Sequence, residues 1–575
     1  MKKMKSKKGF TLIELLAVIV ILAVIALIAT PIIVGVINDA EKKAFEDTVY
    51  GIVKAGELHY GQEVMKDNDY VGETLFLEKD ELAYSGEKVK GTVLIENDGK
   101  VTASIYDKKN RWCAIKEYGS EKPSIRKYEE GKCNVRYLYP VMQAWKYNST
   151  TDFHNEAYRT KIKTAKFVGN KNIPTEAIET WDVSESKDGS VMAWVTDAGD
   201  GYYHLYIGGD RRVSANVDSS HLFYKFTNIE NIDVKLLYTG NTVKMEEMFS
   251  GCTNLITLDL NNFDTSNVIN MHYMFLVCSN LTELNISNFD TSKVQDMVGM
   301  FHKCQKLMKL DVSHFDTSNI TSMYYMFNGC SSLLELDVSS FNTSKVTNMT
   351  STFKDCNSIV KLDVSGFATS KVTTMSQMFQ GCSSLTKLDV SGFATRNTTD
   401  MNSMFSNCSN LTELNVSNFD TNKVRDIGGM FSGCQKLMKL DVSNFDTSNV
   451  TIMGSMFKDC RSLTKLDVNH FDTSRVTSIG GMFMNCVKLQ KLDVSDFNTS
   501  NVTSMSYMFY NCTNLEELNL GVLEHDKVTT TLQMFLSVPN TTKIIVGDTS
   551  TQSYVLGLPE TDRPVAWNTS NVVVG

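Results

Sequence analysis

The chain has 575 residues and is 42% apolar, 21% charged and 10% aromatic, which supports about four domains at ~150 residues each and excludes a disordered or collagen-like chain. A formal charge of −9 excludes bulk attraction to nucleic acid or to anionic lipid. Three counts are unusual, 7 prolines, 28 methionines and 13 cysteines, and an odd cysteine total outside the cytoplasm reads first as a disulfide framework with one thiol left over.

The first nine residues, MKKMKSKKG, hold five lysines and no acid, so the rest carries −9 − 5 = −14. From Leu15 to Ile37 run 23 residues without a charge, enough at ~1.5 Å each to cross a ~30 Å hydrocarbon core as a single helix. A signal peptide has an apolar core of ~7 to 15 residues and then a small-residue cleavage site, so this segment is expected to stay in the mature protein. Lys2, Lys3, Lys5, Lys7 and Lys8 hold the amino terminus in the cytoplasm and place everything beyond about residue 40 outside. Lys42 and Lys43 weaken that orientation little, being offset by Asp39 and Glu41.

Glu14 is unexpected there: a charge at a membrane helix centre costs ~2.5 to 3.5 kcal/mol, so it needs a partner or an interface to which it snorkels. The stretch K-K-G-F-T-L-I-E-L-L at 7–16 resembles the processing site of type IV prepilins and type II secretion pseudopilins. The resemblance implies cleavage between Gly9 and Phe10 by a prepilin peptidase, N-methylation of Phe10, and pairing of Glu14 with the Phe10 ammonium of a neighbouring pilin or pseudopilin subunit. An ion pair formed within a helical bundle compensates a buried carboxylate, so the physics agrees. Pro31 fits the bend or melting point of pilin helices and equally an ordinary transmembrane kink.

Beyond Ile37, Ala44, Phe45, Val49, Ile52, Val53 and Leu58 recur at helical spacing, which extends the helix as an amphipathic stem to about Lys66. Gly91-Thr-Val-Leu-Ile and Val101-Thr-Ala-Ser-Ile-Tyr flank Asn97-Asp98-Gly99, a hairpin signal that predicts a small antiparallel β head under the stem. Cys113 and Cys133 fall in this head and are read as a disulfide, with two buried free thiols as the alternative. Between 141 and 240 the chain is polar and β-like, with strands expected over 190–196 and 202–207. Its glycines lack the setting of a phosphate loop and are read as turn residues.

Eleven cysteines follow at 252, 278, 304, 330, 356, 382, 408, 434, 460, 486 and 512, always 26 apart, and a Met-Phe pair keeps the same phase to 534 and 535, with Thr352 replacing Met once. Twelve copies thus span about 241–550, the last with Val538 in the cysteine slot, as suits a terminal repeat. In Leu307 to Cys330, Leu310, Val312 and Phe315 predict a short strand and its inward neighbour, while Asp311 and Ser313 face outward. Ile320, Met323, Met326, Phe327 and Cys330 follow helical spacing, which predicts a short helix capped by Ser318. A strand and a short helix per repeat with L-x-x-L-x-L spacing is the leucine-rich-repeat solution. The 26-residue form resembles that of BspA-like leucine-rich-repeat surface proteins of bacteria over roughly 180–575. Lys543-Ile-Ile-Val, Val555-Leu-Gly-Leu and Ala566-Trp-Asn are similar to that family's closing segment. The resemblance implies adhesion or interaction at the cell surface and carries over no ligand residue.

The expected architecture is α+β and multi-domain: leader 1–9, transmembrane and amphipathic pilin helix 10–67, β head 68–140, β-rich cap 141–240, leucine-rich repeats 241–550 and carboxy-terminal cap 551–575. Stacking turns each slot into a ladder. The cysteine and methionine slots read as core, since 20 of the 28 methionines occupy two of them. The outward strand slot carries Asp311, Asp337, Asp363, Asp389, Asp441, Asp467 and Asp493, with lysines two residues before most of them that partly neutralise it. Calcium needs ~6 to 8 converging oxygens, and the row reads either as a solvated polar sheet or as the candidate contact surface for a protein or glycan. The nine histidines form no ligand spacing and no triad, so no enzyme, metal or cofactor is expected. The sequence therefore reads as a bacterial surface adhesin or interaction protein, a minor pilin or pseudopilin held in the cytoplasmic membrane and displayed on the surface or pilus after processing. A membrane-anchored receptor or spacer that never polymerises is the alternative.

Overall fold

One helix, α1, runs over Leu12–Lys66, 55 residues, with Pro31 inside it. The computed structural model describes residues 12–66, 72–96, 98–109, 111–129 and 139–575, with the side chains of all of these but 12–15 and 79. The chain divides into two units, Met1–Leu138 and Tyr139–Gly575.

In the first unit, the large apolar side chains of α1 from Leu16 to Ile37 are 43–79% exposed, and the helix is long and apolar enough there to cross a membrane. Farther along, Phe45, Val49 and Ile52 are buried because every third or fourth residue meets a sheet. That sheet is antiparallel in consecutive order: β1 (Glu73–Phe76), β2 (Val89–Ile95), β3 (Val101–Asp107), β4 (Trp112–Lys116) and β5 (Ser124–Lys127). Val93 pairs with Ala103 and Ile105 with Ala114, and these four side chains complete the core with the helix. The β2–β3 turn closes through Gly99 N–H to the Glu96 carbonyl at 3.0 Å, Asn97 lying outside the described residues. Arg111 ties helix to sheet, bonding Glu41 of α1 and, at 3.0 Å, Asp107 of β3. Cys113, in β4, is disulfide-bonded, and Cys133 lies outside the described residues.

The second unit opens with a mixed sheet of β6 (Ile162–Val168), β7 (Glu179–Asp182), β8 (Val191–Gly199), β9 (Tyr202–Gly209) and, after the short β10 (Val213–Ser214), β11 (Asn231–Asp233). Their order is β11-β6-β9-β8-β7, parallel across β11, β6 and β9. The Ile256 N–H donates to the Glu230 carbonyl at 3.4 Å, so the parallel edge of this sheet leads into the repeats. Stacking begins one coil before residue 241: Phe223 N–H donates to the Met248 carbonyl at 2.8 Å, and Lys225 N–H to the Ser250 carbonyl at 2.7 Å.

Each coil has a strand wall and a turn wall. On the strand wall, Thr257–Asp259 pairs in parallel with Glu283–Asn285 at an offset of one repeat, and the same register recurs at Lys387↔Glu413 and Lys491↔Glu517. On the turn wall the expected short helix is absent. Met323, Tyr325, Phe327 and Gly329 donate their N–H groups to Asn348, Thr350, Thr352 and Lys354 of the next coil at 2.7–3.2 Å. The alternate residues Met326, Asn328 and Cys330 donate to carbonyls three residues back at 3.1 Å. This interleaving needs a left-handed residue every fourth position, as at Tyr325 (φ 58°) and Lys303 (φ 62°), and an α-helix cannot contain one. Ser318 caps nothing; its N–H donates to Asp316 Oδ1 at 2.8 Å in an Asx turn. Because a β-branched residue is strained in the left-handed region, Val277→Gly (φ 59°) is expected to stabilise the coil by about 0.5–1 kcal/mol, read as a higher guanidinium midpoint.

Beside the buried leucine, valine and methionine columns, the phenylalanine, threonine and cysteine ladders join one coil to the next. Thirteen phenylalanine rings from Phe223 to Phe535 stack at 5.4–5.9 Å with interplanar angles of 3–10°. Buried threonines of the D-T-S segment link coils, as where Thr265 Oγ1 donates to the Asp290 carbonyl at 2.9 Å and accepts the Asp290 N–H at 2.8 Å. The eleven repeat cysteines are free and buried, and each thiol donates to the phenylalanine carbonyl of the preceding coil, as Cys278 does to Phe249 at 3.2 Å. The slot thus takes a small apolar side chain with one weak donor.

Candidate functional site

The strand wall carries the candidate contact surface. Asp311, Asp337, Asp363, Asp389, Asp441, Asp467 and Asp493 are all exposed, one per coil. Each Oδ1 accepts the N–H two residues on, at 2.9–3.4 Å, and in the first four also the serine hydroxyl there, at 2.6–2.7 Å. The serine hydroxyl and its N–H hold the carboxyls of Asp311, Asp337, Asp363, Asp389 and Asp441 below the usual range, so these five stay charged at neutral pH. The same carboxylates therefore close a turn and present negative charge outward.

Beside this row run Lys309, Lys361, Lys387, Lys439, Lys465 and Lys491, interrupted by Glu283, Glu335, Glu413 and Glu517. Lys387 lies 3.9 Å from Glu413 and Lys491 3.4 Å from Glu517 in the adjacent coil, all exposed but the half-buried Glu517. A shallow cavity of about 690 Å³ opens over the first coils, with Thr257, Asp259, Glu283, Asn285, Met308 and Lys309 among its lining. Sequence reasoning missed a third row on this wall: Ile256, Met308, Leu334, Val360 and Met438 are 49–57% exposed. Its only signal is the residue after the first leucine of L-x-x-L, a slot that also holds Thr282, Thr386 and Gln490.

The thiol ladder lies away from this surface chemistry. Burial pushes the thiols of Cys278, Cys330, Cys434 and Cys512 up to about 12 and the others up as well. A thiol with a raised pKa exposes no thiolate, so the folded protein is expected to resist iodoacetamide at all eleven positions up to about pH 9, with full labelling in guanidinium. Among the described residues no group of three or more His, Cys, Asp or Glu side chains is placed to hold a metal ion. Gly9 and Phe10 lie outside the described residues, and Glu14 falls in α1 with its side chain outside them.

A parallel-coil, leucine-rich-repeat-like solenoid on a chain that begins with a basic leader and a bare apolar helix defines the class: a repeat protein with a prepilin-type amino terminus. The prokaryotic N-terminal methylation motif matches residues 4–30, which implies processing by a prepilin peptidase and, with the apolar helix, points to export at the membrane. The family described as Mycoplasma protein of unknown function, DUF285, matches residues 217–333, 304–413, 382–467 and 462–546. These stretches cover more than half of the sequence, and the chain belongs to that family. No curated protein matches the chain. Among solved structures, the crystal structure of a TLR13–ssRNA13 complex is similar with a TM-score of 0.20 and 15% identity, over 53% of this chain and 49% of that one. The chain thus spans about half of that chain's length, and the likeness is too slight to bear on function.

Proposed function

We propose that this protein is a bacterial cell-surface interaction protein, an adhesin displayed through a pilin-like amino terminus, with the strand wall of its solenoid as the contact surface and no catalytic role. The observation that carries the reading is the joining, in one chain, of a methylation motif over 4–30 to a long exposed polar repeat face. The prepilin resemblance and the BspA-like repeat both support surface display. More than 400 residues follow the first unit, a load hard to pack in every subunit of a shaft, so the place proposed is a filament tip, as a minor pilin or pseudopilin.

Filaments sheared from cells and probed for the protein test this. It is expected in the sheared fraction of wild type and absent from that of assembly mutants; an exclusively membrane-bound protein in both contradicts polymerisation and favours an anchored receptor or spacer. Glu14→Ala is expected to abolish incorporation while cleavage after Gly9 proceeds, because the carboxylate's role is to pair with a neighbour's ammonium. Unchanged incorporation contradicts that role.

A further inference from the structure

We propose that the strand wall pairs with the same wall of a second copy of this chain, the two solenoids lying parallel about a two-fold axis along the stacking direction. The proposal rests on the surface-display reading and names the partner of its contact face.

The two outward residues of each strand are matched in charge. Six triplets read Lys-Leu-Asp, at 309–311, 361–363, 387–389, 439–441, 465–467 and 491–493. Three read Glu-Leu-Asn, at 283–285, 413–415 and 517–519; 257–259 reads Thr-Leu-Asp, and 335–337 alone puts Glu beside Asp. The parallel register holds the two outward positions in straight rows, as Thr257↔Glu283 and Asp259↔Asn285 show. Among the described residues, none of the six lysines forms an ion pair with the aspartate of its own strand; the contacts made are to Glu413 and Glu517 of neighbouring coils. Lysine and aspartate of one strand thus interact at a distance, as Lys361 and Asp363 do, without closing a direct ion pair that a partner would have to break.

Symmetry decides what uses the matching of lysine with aspartate. A dyad along the stacking direction turns the face onto itself and exchanges the rows, so in every coil the first position meets the third position of the partner. Six coils then set lysine opposite aspartate twice over, three set glutamate opposite asparagine, and only the 335–337 coil opposes like charges. A dyad along the strands instead sets each row opposite itself with the coil order reversed. Centred on 387–389 it matches Glu283, Glu335 and Glu413 with Lys491, Lys439 and Lys361, but it opposes Lys309 to Lys465, Lys387 to Lys387, and the aspartate row to itself at Asp311/Asp467, Asp337/Asp441 and Asp389, so it is less favourable. The favourable arrangement also keeps the stacking directions of the two solenoids parallel. Eleven strands at ~4.8 Å and a width of about 10 Å give roughly 500 Å² per partner, the lower edge of a specific interface. Exposed charge pairs are weak and screened by salt, so anchoring supplies the effective concentration.

The full chain in detergent micelles, its mass followed by sedimentation, tests this. A dimer is expected at about 50 mM salt, weakened at least about tenfold near 500 mM. Lys361→Glu, Lys387→Glu, Lys439→Glu, Lys465→Glu and Lys491→Glu together are expected to give monomer, while arginine at the same five positions keeps the dimer. Asp363→Asn, Asp389→Asn, Asp441→Asn and Asp467→Asn keep the turn acceptor, delete the charge and are expected to weaken pairing at least about tenfold. A monomer at low salt, or a dimer that survives lysine reversal and is thus held elsewhere, overturns the proposal. Failure of surface display is read separately, from sheared cells, and does not alter the mass in micelles.

Discussion

Phe405→Ala is expected to destabilise the solenoid by about 3–5 kcal/mol, the cost of deleting a fully buried aromatic side chain. Phe405 is 0% exposed, stacks on Phe379 at 5.8 Å and Phe431 at 5.9 Å, and meets Phe419 at 6.4 Å. Removing it opens a cavity spanning three coils and interrupts the ring ladder at its middle. In a one-dimensional array, stability is a sum of coil and neighbour terms, so the loss is local and divides the array into two cooperative parts. Amide hydrogen exchange is the measurement: protection across 379–431 should fall by about two to three orders of magnitude, while the exposed-site variant Leu334→Ala changes little. Uniform protection in Phe405→Ala would contradict a continuous ladder.

Asp562→Ala is expected to have the next largest effect, because Asp562 closes the carboxy-terminal end of the turn wall. Its Oδ1 accepts the Gln533 N–H at 2.9 Å and its Oδ2 the Thr531 hydroxyl at 3.0 Å, while its carbonyl accepts the Phe535 N–H at 2.7 Å. These are bonds that a following coil supplies elsewhere along the wall. The side chain is 5% exposed, so its loss leaves donors without an acceptor, at about 2–4 kcal/mol for charge-assisted bonds. Trp567, 5.3 Å from Phe535, ends the ring ladder at the same place. The expected result is early fraying of 531–575 in denaturant, followed by exchange or limited proteolysis; Asp562→Asn, which keeps an acceptor, should recover part of the loss.

The period, the strand rows and the buried phenylalanines and cysteines were legible because one slot repeated many times states its environment many times. The turn wall was not legible. Ile320, Met323, Met326, Phe327 and Cys330 follow helical spacing, yet successive three-residue turns bury the same positions. What separates the two is the left-handed backbone at Tyr325, Lys303 and Val277, and those residue types do not signal it. The threonine ladder was hidden in D-T-S, which reads as turn chemistry, and Asp562 lies outside the repeat. Of the candidate surface, the aspartate row was read as outward, and its side chains are exposed; its engagement in Asx turns depends on the backbone N–H two residues on, a serine in most coils and Asn469 after Asp467, and shows only with the backbone in place.

The odd cysteine total now has a physical account. Eleven thiols occupy one buried slot of the solenoid, and Cys113 is disulfide-bonded, so the number reflects how many coils kept the residue and no spare reactive thiol is needed.

Mass spectrometry of the mature amino terminus tests the central claim most directly. The account predicts a chain that begins at N-methylated Phe10, with the nine-residue leader removed. A mature chain that still begins at Met1 would contradict the prepilin-type route to the surface and, with it, the display of this solenoid on a filament.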